Sequence, residues 1–253
     1  MTRAGRIFWT RCAVIGLLVG LLEATCRLGW ISHLVIIPPS EMVAAMVSLL
    51  GTEEVLASVA QTFSTVAIAF VAAVVLGFAL GAAIHGLPRL RRAIDPLLAS
   101  YYSVPFFVFY PLLVALFGLN ELPLIAIGFL FALPAMLIAT LLGLDRVPLV
   151  LRKVARMHRL GWGRTAMLVI LPAALPNLFQ GIKLALAYAF IGVIAGEFIL
   201  ATAGLGRRLT LSYNSFDTAT MYGLILLIFI AVAILNSVLQ RWEARIHRRW
   251  YRA

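Results

Sequence analysis

Six apolar stretches, at residues 8–28, 62–84, 96–117, 121–144, 177–203 and 220–240, decide what this chain can fold into. Each runs to roughly twenty residues or more, the length an α-helix needs to cross a hydrocarbon core about 30 Å thick. Only helices and closed barrels satisfy every backbone polar group inside lipid, and stretches this long suit helices. The expected fold class is therefore all-α: a polytopic membrane protein with about six transmembrane helices. Little is left over for a soluble domain, because 63% of the 253 residues are hydrophobic and 12% charged, where soluble domains carry about 25% charged residues. One domain spanning 1–253 is expected.

The charge pattern orients the bundle. Net charge is +11 from 21 Lys and Arg against 10 Asp and Glu. A nucleic-acid surface would gather that excess on one face, whereas here it falls in short clusters between apolar runs, which excludes nucleic acid as a partner. With the N-terminus inside, the inner segments hold 17 of the 21: Arg3, Arg6 and Arg11; Arg89, Arg91 and Arg92; six between 145 and 176; and five in the tail. The outer segments hold Arg27, Arg207 and Arg208, and Lys183 is placed to snorkel from the inner end of its span. The positive-inside rule then puts both termini in the cytoplasm.

The basic start and first apolar run imitate a signal peptide, but Glu23 precedes Cys26 and no small-x-small site closes the run, so an uncleaved first helix is expected. Cys12 and Cys26 lie too far apart along one helix to pair, which reads as two buried, inert thiols. After the first span, Pro38-Pro39 breaks the chain. Ser40 then suits an N-cap for a short helix over 41–50, whose apolar residues would lie along the outer surface.

The connection over 145–176 is the longest inner stretch. Pro148 can start a helix that places Arg152, Arg156 and Arg159 on one face and Val150, Val154 and Met157 on another. Leu160-Gly161 reads as its C-cap, and Trp162-Gly163-Arg164 followed by Ile170-Leu171-Pro172 reads as a bend back to the membrane. Periodicity leaves two uses open: the arginines rest on anionic lipid phosphates, or the element docks on a partner.

Within the spans, Thr65, Ala69, Ala73, Gly77 and Gly81 recur every fourth residue. They form a small-residue stripe that lets another helix come close, in the same subunit or in a second copy. Glu23 and Glu197 are ionisable groups in apolar runs. Each could line a solute path, reach the interface, or pair with Arg27, Arg207 or Arg208. Tyr101, Tyr102, Phe106 and Tyr110 could line a path or pack as ordinary aromatics. No phosphate-binding Gly-rich loop, no Gly-x-Ser-x-Gly setting and no cluster of the four histidines suggests catalysis or a metal site.

An ordered set of short motifs goes further. It comprises Ile37-Pro38-Pro39-Ser40-Glu41, Ser103-Val104-Pro105, Phe117-Gly118 with Glu121, Leu160-Gly161, Leu171-Pro172-Ala173-Ala174-Leu175-Pro176, Gly181-Ile182-Lys183-Leu184-Ala185-Leu186, Gly196-Glu197 and Ala203-Gly204-Leu205-Gly206. Together these resemble the permease subunits of ATP-binding-cassette importers, in the nitrate/sulfonate/taurine-type branch of the binding-protein-dependent systems, over residues 37–240. The resemblance implies a core over 58–241 preceded by an extra helix at 8–28, and a coupling loop at 145–176 that docks on a separate ATPase. Val150, Val154, Met157, Leu160, Gly161 and Trp162 would form the seat, with Arg152, Arg156 and Arg159 orienting it. It also implies no cofactor on this chain (ATP and Mg bind the partner), a solute-binding protein that is periplasmic or lipid-anchored, a second permease copy, and a bacterial inner membrane. For the solute path, the candidates from the spans are Glu197, Tyr101, Tyr102 and Phe106. The cargo class is a sulfonate-, nitrate- or taurine-like anion, or a vitamin-precursor heterocycle. The chain departs from the branch where the loop's usual Glu-Ala-Ala reads Ala155-Arg156-Met157, and Gly161 lies two residues closer to Pro172 than usual. An ion-coupled secondary transporter should instead show inverted repeats and several buried ionisable groups. An intramembrane enzyme should show a nucleophile with a base.

Overall fold

A computed structural model describes residues 3–250, and the side chains of these except at 3–8, 11, 200 and 246–250. Arg3, Arg6, Arg11, His247, Arg248, Arg249 and Arg252, counted above, therefore lie outside the described residues or side chains. The helices are α1 (Arg3–Arg27), α2 (Pro39–Leu50), α3 (Glu53–His85), α4 (Pro88–Ser100), α5 (Tyr110–Phe117), α6 (Leu122–Asp145), α7 (Leu149–Met157), α8 (Trp162–Thr165), α9 (Leu171–Leu200), α10 (Leu205–Asn214) and α11 (Thr218–Trp250).

Helices α3, α6 and α9 form the heart of the molecule, and small residues are the reason. Thr65, Ala69, Ala73, Gly77 and Gly81 are all buried, so the stripe packs within this chain. A Cβ added at Gly81 would come within 2.7 Å of the Thr140 Cβ, and one at Gly77 within 2.9 Å of the Met136 Cβ. On the far side of α6, Gly128 and Gly192 meet so closely that a Cβ at Gly192 would sit 2.9 Å from the Gly128 Cα. With no hydrophobic drive between helices in lipid, such backbone contact supplies the dispersion that holds them together.

Among the described residues, four helices are long and apolar enough to cross a membrane: Glu53–His85, Leu122–Asp145, the run Trp162–Ile199, and Thr218–Arg245; a fifth span arises if a bent pair counts as one. About six spans were expected; among the described residues the first segment, in α1, is not one of these helices, and segment three departs from a single span. Residues 96–117 are not one helix. Pro88–Ser103 and Phe106–Phe117 meet at 82°, with Val104 extended at φ −85° and ψ 119° between them. Pro105 forces this, since a residue before proline is pushed out of the helical region and the proline itself donates no hydrogen bond. The first expected span coincides with α1 but includes Phe8 and Arg11, whose side chains are not described.

Segment five errs the other way. Pro172 and Pro176 suggest a start at 177, yet the helical run begins at Trp162 and continues through both. A wide turn over Ala166–Ile170, closed by the Leu171 N–H on the Ala166 carbonyl, takes up the change of register before Pro172. The bend expected at Trp162-Gly163-Arg164 is therefore absent.

Helix α2 begins two residues earlier than expected, with Pro38 at the N-cap and Pro39 inside the first turn. Ser40 does not cap it. Its N–H and hydroxyl donate to Glu23 at 3.0 and 2.7 Å, and Glu23 also accepts from Arg27 at 2.6 Å, which fastens α1 to α2. The other face of α2 seats on α11, where a Cβ at Gly223 would lie 3.0 Å from the Met46 nitrogen. Of the two thiols expected to be buried, only Cys26 is; Cys12 is exposed on the flank of α1.

Candidate functional site

One end of the bundle is organised around Asp145, the last residue of α6. Its carboxylate accepts from Arg91 of α4 at 2.6 and 2.5 Å and lies 3.3 Å from His85 Nε2 at the end of α3. One residue back, the Leu144 carbonyl accepts from Arg152 of α7 at 2.8 Å, and one residue on, Arg146 donates to Asn177 of α9 at 2.9 Å. Helix α7 is thus tied through Arg152 to the end of α6, next to the residues that gather α3, α4 and α9.

Helix α7 has two faces. Ala155 is buried against the rim, while Val150, Val154, Met157 and, beyond it, Trp162 are exposed; Met157 and Trp162 reach 82% and 89%. The apolar set expected from periodicity is therefore brought together as an outward patch, with Leu149 added and Leu160 only partly exposed. The arginines separate. Arg156 and Arg159 are exposed, but Arg152 turns inward onto Leu144, and its Nε is buried without a partner.

The expected C-cap at Gly161 is displaced. Helix α7 ends at Met157, and Arg159 takes the left-handed turn at φ 50°. Gly161 instead has extended geometry and precedes α8, with nothing within 4 Å of where its Cβ would be. Chain reversal at a non-glycine residue is uncommon for a bulky side chain, which is why a Leu-Gly pair two residues later misleads.

The four residues put forward for a solute path fall in two places. Tyr101, Tyr102 and Phe106 gather at the broken α4–α5 hairpin: Tyr101 stacks on Phe106 at 4.5 Å, Tyr102 stacks on Tyr188 of α9 at 4.8 Å, and the Tyr101 hydroxyl donates to the Leu130 carbonyl at 3.0 Å. Glu197 lies elsewhere, on α9, 1% exposed. Thr62 donates to its carboxylate at 2.8 and 3.0 Å, and the Gly206 N–H donates at 2.8 Å. Thr62 in turn accepts the Leu205 N–H at 2.9 Å. Glu197 thus holds the first turn of α10, a position that favours an anion. It pairs with neither Arg207 nor Arg208; Arg208 reaches Glu54 and Ser58 of α3.

Sequence reasoning missed a polar seam between α9 and α11. Gln180, Lys183, Asn236 and Gln240 border a cleft of about 270 Å³ there, and Lys183 does not snorkel alone but donates to Glu243 at 2.7 Å. The available signal was the i, i+4, i+7 spacing of Asn236, Gln240 and Glu243. Among the described residues there is no group of three or more His, Cys, Asp or Glu able to hold a metal.

Residues 73–252 match the family described as binding-protein-dependent transport system inner membrane component. The taurine transport system permease protein TauC of Escherichia coli (strain K12) is 27% identical over 252 residues, which cover 94% of this chain and 91% of that protein. The glycine betaine/proline betaine transport system permease protein ProW of the same organism is 29% identical over 215 residues, 83% of this chain but 60% of ProW. Among solved structures, a chain of the inward-facing MetNI methionine ABC transporter superposes with a TM-score of 0.68 at 19% identity, covering 79% of this chain and 97% of that chain. That likeness shows an all-α polytopic membrane permease fold.

Proposed function

The chain belongs to the binding-protein-dependent transport inner membrane components, as an ABC-importer permease subunit of the nitrate/sulfonate/taurine type, and from this premise we propose that it passes a small polar solute across the bacterial inner membrane by alternating access, driven by ATP on a separate ATPase. The subunit itself is non-catalytic. The observation that carries the reading is the outward apolar patch of α7 and α8, with Met157 and Trp162 at 82% and 89% exposure, on a helix joined to the end of α6 by Arg152. An exposed tryptophan and methionine beside arginines are what a protein partner desolvates first.

The seat comprises Val150, Val154, Met157, Leu160 and Trp162, with Gly161 as the pivot and Arg156 and Arg159 at its edge. Arg152 belongs to the rim side of the joint. Motion of a docked ATPase passes through α7 to the rim as a rigid-body rotation. The partners are ATP-binding-cassette subunits, a solute-binding protein at the outer face, a second copy of this chain, and lipid. The topology is six spans with both termini inside: α1 as an extra helix over 8–28, a core over 58–241 whose α4–α5 hairpin counts as one broken span, and a coupling loop over 145–176. Tyr101, Tyr102 and Phe106 flank the path, and Glu197 fixes the α9–α10 corner beside it. The cargo is a sulfonate-, nitrate- or taurine-like solute or a heterocyclic vitamin precursor.

Co-purification tests the reading. The intact chain is expected to bring down its ATPase, and scrambling residues 148–165 to abolish both that association and ATP-driven uptake. Uptake that survives the scramble, or solute movement by the chain alone without nucleotide, overturns it.

A further inference from the structure

A small polar cavity at the start of α6, the end of the bundle opposite Asp145, holds a buried tyrosine whose hydroxyl packing alone does not explain. The cavity encloses about 50 Å³ and is bordered by Gln61 of α3, Tyr110 of α5, Asn120 and Glu121 before α6, and Ala201 and Thr202 after α9. Tyr110 is 2% exposed, and a buried tyrosine hydroxyl ordinarily finds a hydrogen-bond partner. Among the described residues this one has none. Nor is it wholly covered, as the unpartnered Thr65 Oγ1 and Arg152 Nε are. The sliver of Tyr110 left open therefore includes the hydroxyl, which faces the cavity.

The groups already engaged there decide what such a cavity accepts. Its side-chain amides are in use as donors: Asn120 Nδ2 donates to the Phe117 carbonyl at 2.6 Å, and Gln61 Nε2 donates to Glu121 Oε1 at 3.4 Å. Asn120 Oδ1 takes the Leu122 N–H at 2.8 Å. The side-chain atoms left open are oxygens: the Tyr110 and Thr202 hydroxyls, Gln61 Oε1 and the second oxygen of the Glu121 carboxylate. Glu121 is the one charged residue on the wall, and it is exposed, so an ion can enter from solution. The 30-residue helix α9 ends at the same wall, beside Ala201, and a helix C-terminus carries partial negative charge. Oxygens gathered at a negative charge are the ligands of a hard cation, and a single carboxylate balances a single positive charge. A volume of about 50 Å³ holds such an ion with a few waters, since one water needs about 10–15 Å³.

We propose that this cavity is a binding site for one small monovalent cation of the size of Na+, held by Glu121, Tyr110, Gln61 and Thr202. The ion clasps α3, the α5–α6 turn and the end of α9 beside the Glu197 corner: Gln61 precedes Thr62, which donates to Glu197, and Thr202 lies two residues before Gly204, which packs on the same carboxyl group. The site takes no part in the docking of α7 and is independent of the importer reading.

The test uses the full chain in nanodiscs, with Na+ as the probe. N-methylglucammonium, too large for a cavity of this volume, replaces it at constant chloride, ionic strength and pH. Radiolabelled sodium is expected to bind saturably, at one ion per chain, and NaCl is expected to raise the unfolding midpoint as a ligand of the folded state does. Tyr110→Phe removes only the hydroxyl, which nothing in the chain uses. Its midpoint without sodium should match wild type, while its sodium affinity falls by at least about fivefold. Glu121→Gln is expected to abolish saturable binding. Glu53→Gln, which alters an exposed acid at the same end of the bundle, should bind sodium as wild type does. Should Glu121→Gln fail to fold, the affinity of Tyr110→Phe decides. Absence of saturable binding, affinity unchanged in Tyr110→Phe or in folded Glu121→Gln, or displacement of sodium by Ca2+ at far lower concentrations overturns the proposal.

Discussion

Arg91 and Asp145, 54 residues apart in the chain, meet at two points: Nη1 donates to Oδ1 at 2.6 Å and Nη2 to Oδ2 at 2.5 Å. The paired geometry fixes the angle between α4 and the end of α6 as well as their distance. Because Arg152 of α7 holds the adjacent Leu144 carbonyl, whatever moves α7 pulls on this joint. Side-chain exposures of 26% and 36% mean solvent screens the pair, so Asp145→Asn is expected to cost only about 1 kcal/mol of stability. Its effect on transport should be larger, with solute moved per ATP falling while ATPase binding persists. The exchange R91D/D145R should restore the ratio. Flux and ATP hydrolysis measured together in proteoliposomes check this, and an unchanged ratio in Asp145→Asn reduces the joint to a staple.

Gly81→Ala should destabilise the bundle. The new Cβ would stand 2.7 Å from the Thr140 Cβ and 3.1 Å from the Leu137 carbonyl, and two packed backbones cannot part cheaply. Overpacking of this kind costs about 1–3 kcal/mol. Gly16→Ala in α1 is the matched control, with nothing within 4 Å of the added methyl. Thermal unfolding of the two purified variants in detergent should show a lowered midpoint for the first and none for the second.

These positions also mark how far the sequence could be read. The α3 stripe was legible because small residues at every fourth place have one physical use, although which partner they meet was left open until Met136 and Thr140 were seen to be the neighbours. The long apolar helices were legible for the same local reason. The 82° break was not: hydropathy averages straight across Pro105, and the aromatic residues on both sides keep the stretch apolar. The Arg91–Asp145 and Lys183–Glu243 pairs were hidden because nothing in a single sequence joins residues so distant. The turn at Arg159 was missed because local preference favours Gly161. The outward apolar face of α7 was legible from spacing, while the inward turn of Arg152 depends on a carbonyl that only the assembled rim exposes.

Glu197 should prove more important to stability than its place in a span suggests. Its carboxylate accepts from Thr62 and from the Gly206 N–H, so Glu197→Ala leaves two buried donors without that acceptor, at a cost of about 1–3 kcal/mol for each left unpaired. Gly204, at φ 100°, lies so near that any Cβ would overlap the Glu197 carboxyl group, and Gly204→Ala should be at least as damaging. Glu54, whose side chain is 82% exposed beside Arg208, is the contrast: Glu54→Ala should fall within about 0.5 kcal/mol of wild type. The midpoint of unfolding should be highest for Glu54→Ala, lower for Glu197→Ala and no higher than that for Gly204→Ala.

The patch on α7 and α8 leads to the opposite combination of effects. Trp162 and Met157 touch little of their own chain, so Trp162→Ala and Met157→Ala should leave the permease's unfolding midpoint within the range of an ordinary surface change, about 0.5 kcal/mol. If the patch is a seat, truncating a central aromatic anchor costs about 2 kcal/mol or more of association, which is over tenfold in affinity. Titrating labelled ATPase against each variant reads this directly. A lipid-resting helix gives a different result: tryptophan loss would then weaken partition into anionic vesicles and leave ATPase affinity intact, and that outcome would return α7 to the membrane surface. Arg156→Glu sharpens the contrast, since reversal of a rim charge slows association with an acidic partner and changes its salt dependence more than it changes dissociation.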